Sequence, residues 1–235
     1  MKVAIMQPYF FPYIGYWQLI NAVDVFVIYD DVTFIKGGWI NRNRILVNEK
    51  PTYITIPLQQ ASSYKRICDI SIHSSPVWKK KMIKTIENSY RRSRFFDDFF
   101  PVVKNVLEYQ SDNIADFVTN SIVLISRYLS LKTKIVKTSR CYKNNNMDGV
   151  NRVVDICKRE RATVYINAQG GRLLYDSKAF QEEKIQLRFL KTKLFDYKKN
   201  GAEFIPYLSI IDLLMNVGPR NAQRLFGEFD FISGD

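Results

Sequence analysis

Residues 2–31 read KVAIMQPYFFPYIGYWQLINAVDVFVIYDD. Two short apolar runs, KVAIM and VFVIY, flank YIGYWQLINAV, a segment of helical length. Short runs rich in β-branched and aromatic side chains read as buried strands. Strand, helix and strand in this order make a βαβ unit, and such units build parallel sheets. The expectation is therefore an α/β, Rossmann-like parallel sheet.

Working outward, TYITIPL (52–58) reads as a third strand closed by Pro57. The pattern then changes. SPVWKKKMIKTIENSY, FFDDFFPVVKNVLEYQ and DNIADFVTNSIVLISRYL carry apolar residues at helical spacing. Ser75 is an N-cap candidate with Pro76 at the first helical position, and Asp112 can cap the last of the three. Beyond them α/β alternation resumes. TKIVKTS, TVYINA and IQLRFL read as strands, the second ending at Gly170-Gly171. DGVNRVVDICKRERA, DSKAFQEEK and LSIIDLLMNVG read as helices, the last closed by Gly218 and Pro219. The expected organisation is an α/β core of residues 1–75 and 132–235 with a helical insert at 76–131.

Composition bounds the function. The chain has 235 residues, 46% hydrophobic and 25% charged, which is globular. No apolar run reaches the roughly 18 residues of a membrane span. The amino terminus lacks the pattern of a signal peptide, so the expected location is the cytoplasm. Cys68, Cys141 and Cys157 are widely spaced and fit reduced thiols. With His73 as the one histidine, no His/Cys metal site is expected. Lys and Arg exceed Asp and Glu by 35 to 23, giving +12. That excess favours polyanionic partners, nucleic acid or nucleotide phosphates among them. A basic protein with dispersed, solvated lysines is the competing account.

Three segments carry candidate chemistry. In an open parallel sheet, ligands bind beyond the carboxyl ends of the strands. The stretch Gln7–Tyr16 lies there. Gln7 offers an amide, Tyr13 and Tyr16 offer flat faces, and Gly15 would let a backbone approach a ligand. The aromatics also suit a core, Phe10, Phe11 and Trp17 above all. Tyr13-Ile14-Gly15-Tyr16 stands where nucleotidylyl transferases carry a His-x-Gly-His turn, but neither histidine is present. A degenerate enzyme of that kind is one alternative.

The second segment is YDDVTFIKGGWINRNRI. Asp30 or Asp31 is positioned to accept a proton, and alternation along a strand sends only one of them to the site. Lys36, Arg42 and Arg44 supply charge for phosphates, Trp39 a stacking plane and Asn41 an amide. Arg42 ranks as the better phosphate contact. A solvated hairpin is the competing reading. In the third, FIPYLSIIDLLMNVG, Ser209 and Asp212 have capping-box spacing, and Asn216 falls one turn after Asp212.

These three blocks, with YINAQGGRLLYD, resemble the WbqC-like family of bacterial proteins across nearly the whole chain. The resemblance implies a place in O-antigen and other surface-glycan synthesis. It implies transfer of an acyl or aminoacyl group, glycyl among them, to the amine of a nucleotide-linked amino sugar. The catalytic candidates are then Asp30, Asp31 and Asp212. The acyl group must arrive activated, either through ATP with Mg or from a carrier such as aminoacyl-tRNA. A non-catalytic module binding nucleotide sugar or nucleic acid is the other alternative.

Overall fold

The computed structural model describes residues 1–197 and 204–233. β1 (Lys2–Met6) leads through α1 (Ile14–Asn21) into β2 (Val25–Ile28). A hairpin follows, β3 (Arg42–Val47) and β4 (Lys50–Thr55), then a minimal pair, β5 (Leu58–Gln59) and β6 (Ser71–Ile72). Three helices come next: α2 (Val77–Tyr90), α3 (Phe96–Glu108) and α4 (Ile114–Tyr128). β7 (Lys134–Val136), α5 (Gly149–Arg159), β8 (Val164–Ala168), α6 (Ser177–Glu182) and β9 (Gln186–Thr192) alternate after them. α7 (Ile210–Phe226) and β10 (Phe229–Ser233) close the described chain.

Six strands form the main sheet in the order β10-β9-β8-β1-β2-β7. All neighbours are parallel except β10 against β9. Counted in chain order within this sheet, the strands run 3-2-1-4-5-6, the Rossmann arrangement. The order reverses between β1 and β8. Those two strands pair only at Lys2–Val164 and Val3–Tyr165, while β1 follows β2 to Met6–Ile28 and β8 follows β9 to Ala168–Leu190. They therefore part at their carboxyl ends, where a doubly wound sheet places its ligand crevice.

Strict alternation of side chains splits each central strand between two cores. Val3, Ile5, Val25, Val27 and Phe189 pack with Val153, Ile156 and Phe180 of α5 and α6. Ala4, Phe26, Ile28, Ile166 and Leu190 pack on the other face with α1, α7 and the three middle helices, through residues such as Ile86, Val103 and Ile122. Strands apolar on both faces are what a sheet covered on both sides requires.

Several local readings are corrected. The 52–58 strand does not join the parallel sheet. It forms most of β4, antiparallel to β3. Asn48 and Glu49 between them both have positive φ, 49° and 62°. That is the two-residue turn whose twist matches a hairpin. Ser75 does not cap α2; Pro76 takes the cap position without a side-chain bond. Asn113, not Asp112, caps α4, its Oδ1 accepting from Ala115 N and Asp116 N at 3.0 and 3.2 Å. Gly218 breaks α7 at φ 74°, but Pro219 opens a second helical stretch instead of ending the element.

Candidate functional site

The loop leaving β1 is fixed through its carbonyl groups. Asn43 Nδ2 donates to the carbonyls of Phe10 and Phe11, each at 3.0 Å. Ser209 Oγ donates to Phe11 O at 2.8 Å, and Trp17 Nε1 to Pro12 O at 3.0 Å. Phe11 itself lies at φ 41°. A bulky residue holds that left-handed conformation only where its surroundings enforce it. The loop thus ties β3 and the start of α7 to the end of β1. Phe10, Phe11 and Trp17 are fully buried. Tyr16 joins this core at 3% exposure, its hydroxyl donating to Gln7 O at 2.9 Å. Gly15 faces no open space. A Cβ there would collide with Thr192 Oγ1 and lie 2.6 Å from the Tyr13 ring, so its role is to admit those two side chains.

Three loop residues, Tyr9, Pro12 and Tyr13, line a cavity of about 200 Å³ with Trp39, Asn43 and Tyr207. Tyr13 meets Tyr207 edge to face at 5.7 Å. Burial pushes the Tyr9 and Tyr13 phenols above their ordinary range, so both are neutral walls at physiological pH. Arg44 borders this pocket. Its guanidinium lies 5.9 Å from the Trp39 ring, and its Nε is buried without a hydrogen-bond partner. Arg42 is committed elsewhere. It donates to the carbonyls of Gly37 and Gly38 and covers the Tyr53 ring at 4.6 Å. Arg44 too has a backbone partner, its Nη2 donating to Pro206 O at 3.4 Å. Asn41 donates to Ile56 O, just past β4, at 2.9 Å, and Lys36 is exposed.

Along β3, Asn43 lines the aromatic pocket and Leu46 lines a larger cleft. Three residues of strand span about 10 Å. The cleft has a volume of about 760 Å³. Arg91, Arg92 and Arg94 line it, with Asn88, Asn216 and the floor carboxylate of Asp212. Asp212 is 1% exposed and receives Tyr90 OH at 2.9 Å and Tyr197 OH at 2.7 Å. Burial, then the nearby Asp212 charge, raises both phenols well above their usual range. Both therefore remain protonated donors, and the buried charge is held by neutral hydroxyls. Asn216 Nδ2 donates to Asp212 O at 2.7 Å, within α7. Ser209 caps α7 by accepting from Ile211 N at 3.2 Å. Asp212 turns to the tyrosines, so no reciprocal capping box is made.

Asp30 and Asp31 stand apart from both cavities. Because β2 ends at Ile28, strand alternation no longer governs them, and both carboxylates meet Ser139 Oγ. Asp30 also accepts from Thr138 Oγ1 at 2.9 Å and Ser139 N at 3.0 Å. Asp31 pairs with Arg152 Nη2 at 2.6 Å, both side chains nearly inaccessible. Arg152 in turn covers the Tyr29 ring at 4.8 Å and donates to Asn144 Oδ1 at 3.0 Å. This network fastens the end of β2 to the turn after β7 and to α5. Gln7 lies at the switch point with its Oε1 buried and unpartnered.

Tertiary structure thus places Tyr13 and Trp39 at one pocket, with Arg44 beside Trp39, and Asp212 with Asn216 at the larger cleft. Ser209 sits behind the loop that leaves β1, bonded to Phe11 O. Gln7, Asp30 and Asp31 line neither cavity. The sequence reading missed Tyr90, Tyr197, Tyr207 and the three arginines. The run RRSR at 91–94 was the available signal for the last. No group of three or more His, Cys, Asp or Glu side chains that could hold a metal ion occurs among the described residues. No helix among them is long and apolar enough to cross a membrane.

Fold and site together define a three-layer α/β protein with a ligand-sized cleft of arginines and amides over one buried aspartate. The chain belongs to the WbqC-like protein family, whose pattern it matches over residues 7–224. It is 30% identical over 220 residues to "Uncharacterized protein Rv1507c" of Mycobacterium tuberculosis (strain ATCC 25618 / H37Rv), covering 92% of this chain and 94% of that protein. No solved structure matches it.

Proposed function

We propose that this protein serves surface-glycan synthesis by transferring an acyl or aminoacyl group, glycyl among them, to the amine of a nucleotide-linked amino sugar. The observation that carries this reading is the cleft in which Asp212 lies beneath Arg91, Arg92 and Arg94. Its volume falls in the usual range for small-molecule sites. The aromatic pocket takes the base, Arg44 and the cleft arginines take the diphosphate, and the sugar amine faces Asp212. The amine attacks the activated acyl carbon, the C–N bond forms, and the bond to the leaving oxygen breaks. Asp212 accepts the proton that the new ammonium loses. The acyl group comes from ATP-dependent activation or from an aminoacyl-tRNA, and the net charge of +12 suits either polyanion.

The test is turnover against nucleotide amino sugars with ATP and amino acids, or with aminoacyl-tRNA. Asp212→Asn should abolish transfer and retain nucleotide-sugar binding. Arg92→Ala should weaken that binding about tenfold or more, as for lost hydrogen bonds to a charged group. A second reading, a non-catalytic nucleotide-sugar module, is favoured by one observation: Asp30, Asp31 and Asp212 all accept hydrogen bonds from protein donors. Binding without turnover under every donor would select it.

A further inference from the structure

A third, smaller pocket lies between α4 and the turn that follows β7. It has a volume of about 180 Å³. At about 30 Å³ per water this is room for about six waters, or a molecule of about as many heavy atoms. Its floor holds donors with nothing to donate to. Thr119 is 5% exposed, and its Oγ1 has no hydrogen-bond partner. Asn120 Nδ2 is likewise buried and unpartnered. On the rim, Lys137 enters no ion pair among the described residues. Buried polar groups without partners are uncommon in folded proteins, because each forfeits its hydration.

The same pocket carries both signs of charge. Asp30 and Asp116 line it beside Lys137 and Arg140. Asp116 accepts from Tyr109 OH through one oxygen, at 3.1 Å. Asp30 is bound to Thr138, Ser139 and Arg140. A plain anion would meet two carboxylates, and a plain cation would meet a lysine and an arginine. Each is penalised by like charge. A ligand bearing both charges escapes that penalty.

We propose that this pocket binds a small zwitterion, an α-amino acid of two or three carbons. Its carboxylate takes the donors of Thr119, Asn120 and Lys137, and its ammonium faces Asp116. Ala115 and Val123 leave an apolar wall that tolerates a methyl group. The site is separate from the cleft of Asp212, and the inference stands or falls without the transferase reading.

The experiment is calorimetric titration of the intact protein with glycine, L-alanine and L-serine. Acetate and methylammonium serve as single-charge probes, and L-phenylalanine as an oversized one. The small amino acids should bind saturably and the other three should not. Asn120→Leu should weaken binding about tenfold or more. Thr119→Val should weaken it while raising the melting temperature of the unliganded protein, since it removes a buried hydroxyl that has no partner. Near-UV circular dichroism keeps a folding defect in Asn120→Leu distinct from a lost contact. The proposal is overturned if none of the three amino acids binds saturably, or if acetate binds as tightly as glycine. It is equally overturned if both variants bind as the wild type does.

Discussion

Replacing Arg152 by Met tests the buried network that fixes the end of β2. Arg152 and Asp31 are 4% and 5% exposed, and one guanidinium nitrogen lies 2.6 Å from both carboxylate oxygens. Methionine keeps much of the side-chain bulk and removes the charge. Asp31 is then left buried with Ser139 as its remaining donor, beside the second carboxylate of Asp30. Asn144 Oδ1 also loses its 3.0 Å partner. Removing one member of a buried ion pair costs about 3–5 kcal/mol. In a chain of this size each kcal/mol lowers the melting temperature by about 2–4 °C, so the expected loss is about 6–20 °C. Urea unfolding followed by circular dichroism gives the free energy directly. The double variant Asp31→Asn/Arg152→Met should lose much less than the sum of the single losses, because it leaves no unpaired buried charge. A single-variant loss below about 1 kcal/mol, or strict additivity in the cycle, would refute the reasoning, since the surface pairs of proteins behave that way.

Three further outcomes are expected. Tyr90→Phe leaves both Asp212 and the Leu46 N–H, which it serves at 3.0 Å, without that hydroxyl; the loss should be about 1–3 kcal/mol in the same denaturation assay. Gly218→Ala places a Cβ 2.6 Å from the Phe95 ring at a φ of 74°, so it should destabilise by at least about 1–3 kcal/mol, read as a fall in melting temperature. In native alkylation with iodoacetamide near pH 8, exposed Cys141 should react first, while Cys157 should react only on unfolding. Burial pushes the Cys157 thiol far above its ordinary value, which lowers its thiolate fraction at any given pH. Mass spectrometry of the labelled peptides would show the opposite order if that burial were wrong.

The fold was legible in the sequence because its decisive signals are local. KVAIM and VFVIY are continuous apolar runs, and a run of that kind fits a strand covered on both faces. The helices at 77–128 are legible for the same reason, since an apolar stripe of period 3.6 needs no distant partner to be read. Turn geometry was partly hidden. Asn48 hinted at a two-residue turn, but Glu49 at positive φ carries no glycine to announce it. Side-chain direction was hidden where regular structure ends. Alternation separates Asp30 from Asp31 only while the strand lasts, and β2 stops at Ile28.

The sequence by itself determined the α/β class and the place of most elements, and it singled out residues 7–44 and 209–216 as candidates for chemistry. Only the tertiary structure decided which of those residues face one another. Tyr16 and Gly15 went to the core because α1 must pack on β9 and the sheet. Asp31 found Arg152, 121 positions away, and Asp212 found Tyr90, 122 positions away. No periodicity encodes such pairs. They arise when helices from separate parts of the chain bury apolar faces against one sheet, and the polar groups carried along must then find partners or lose their hydration uncompensated.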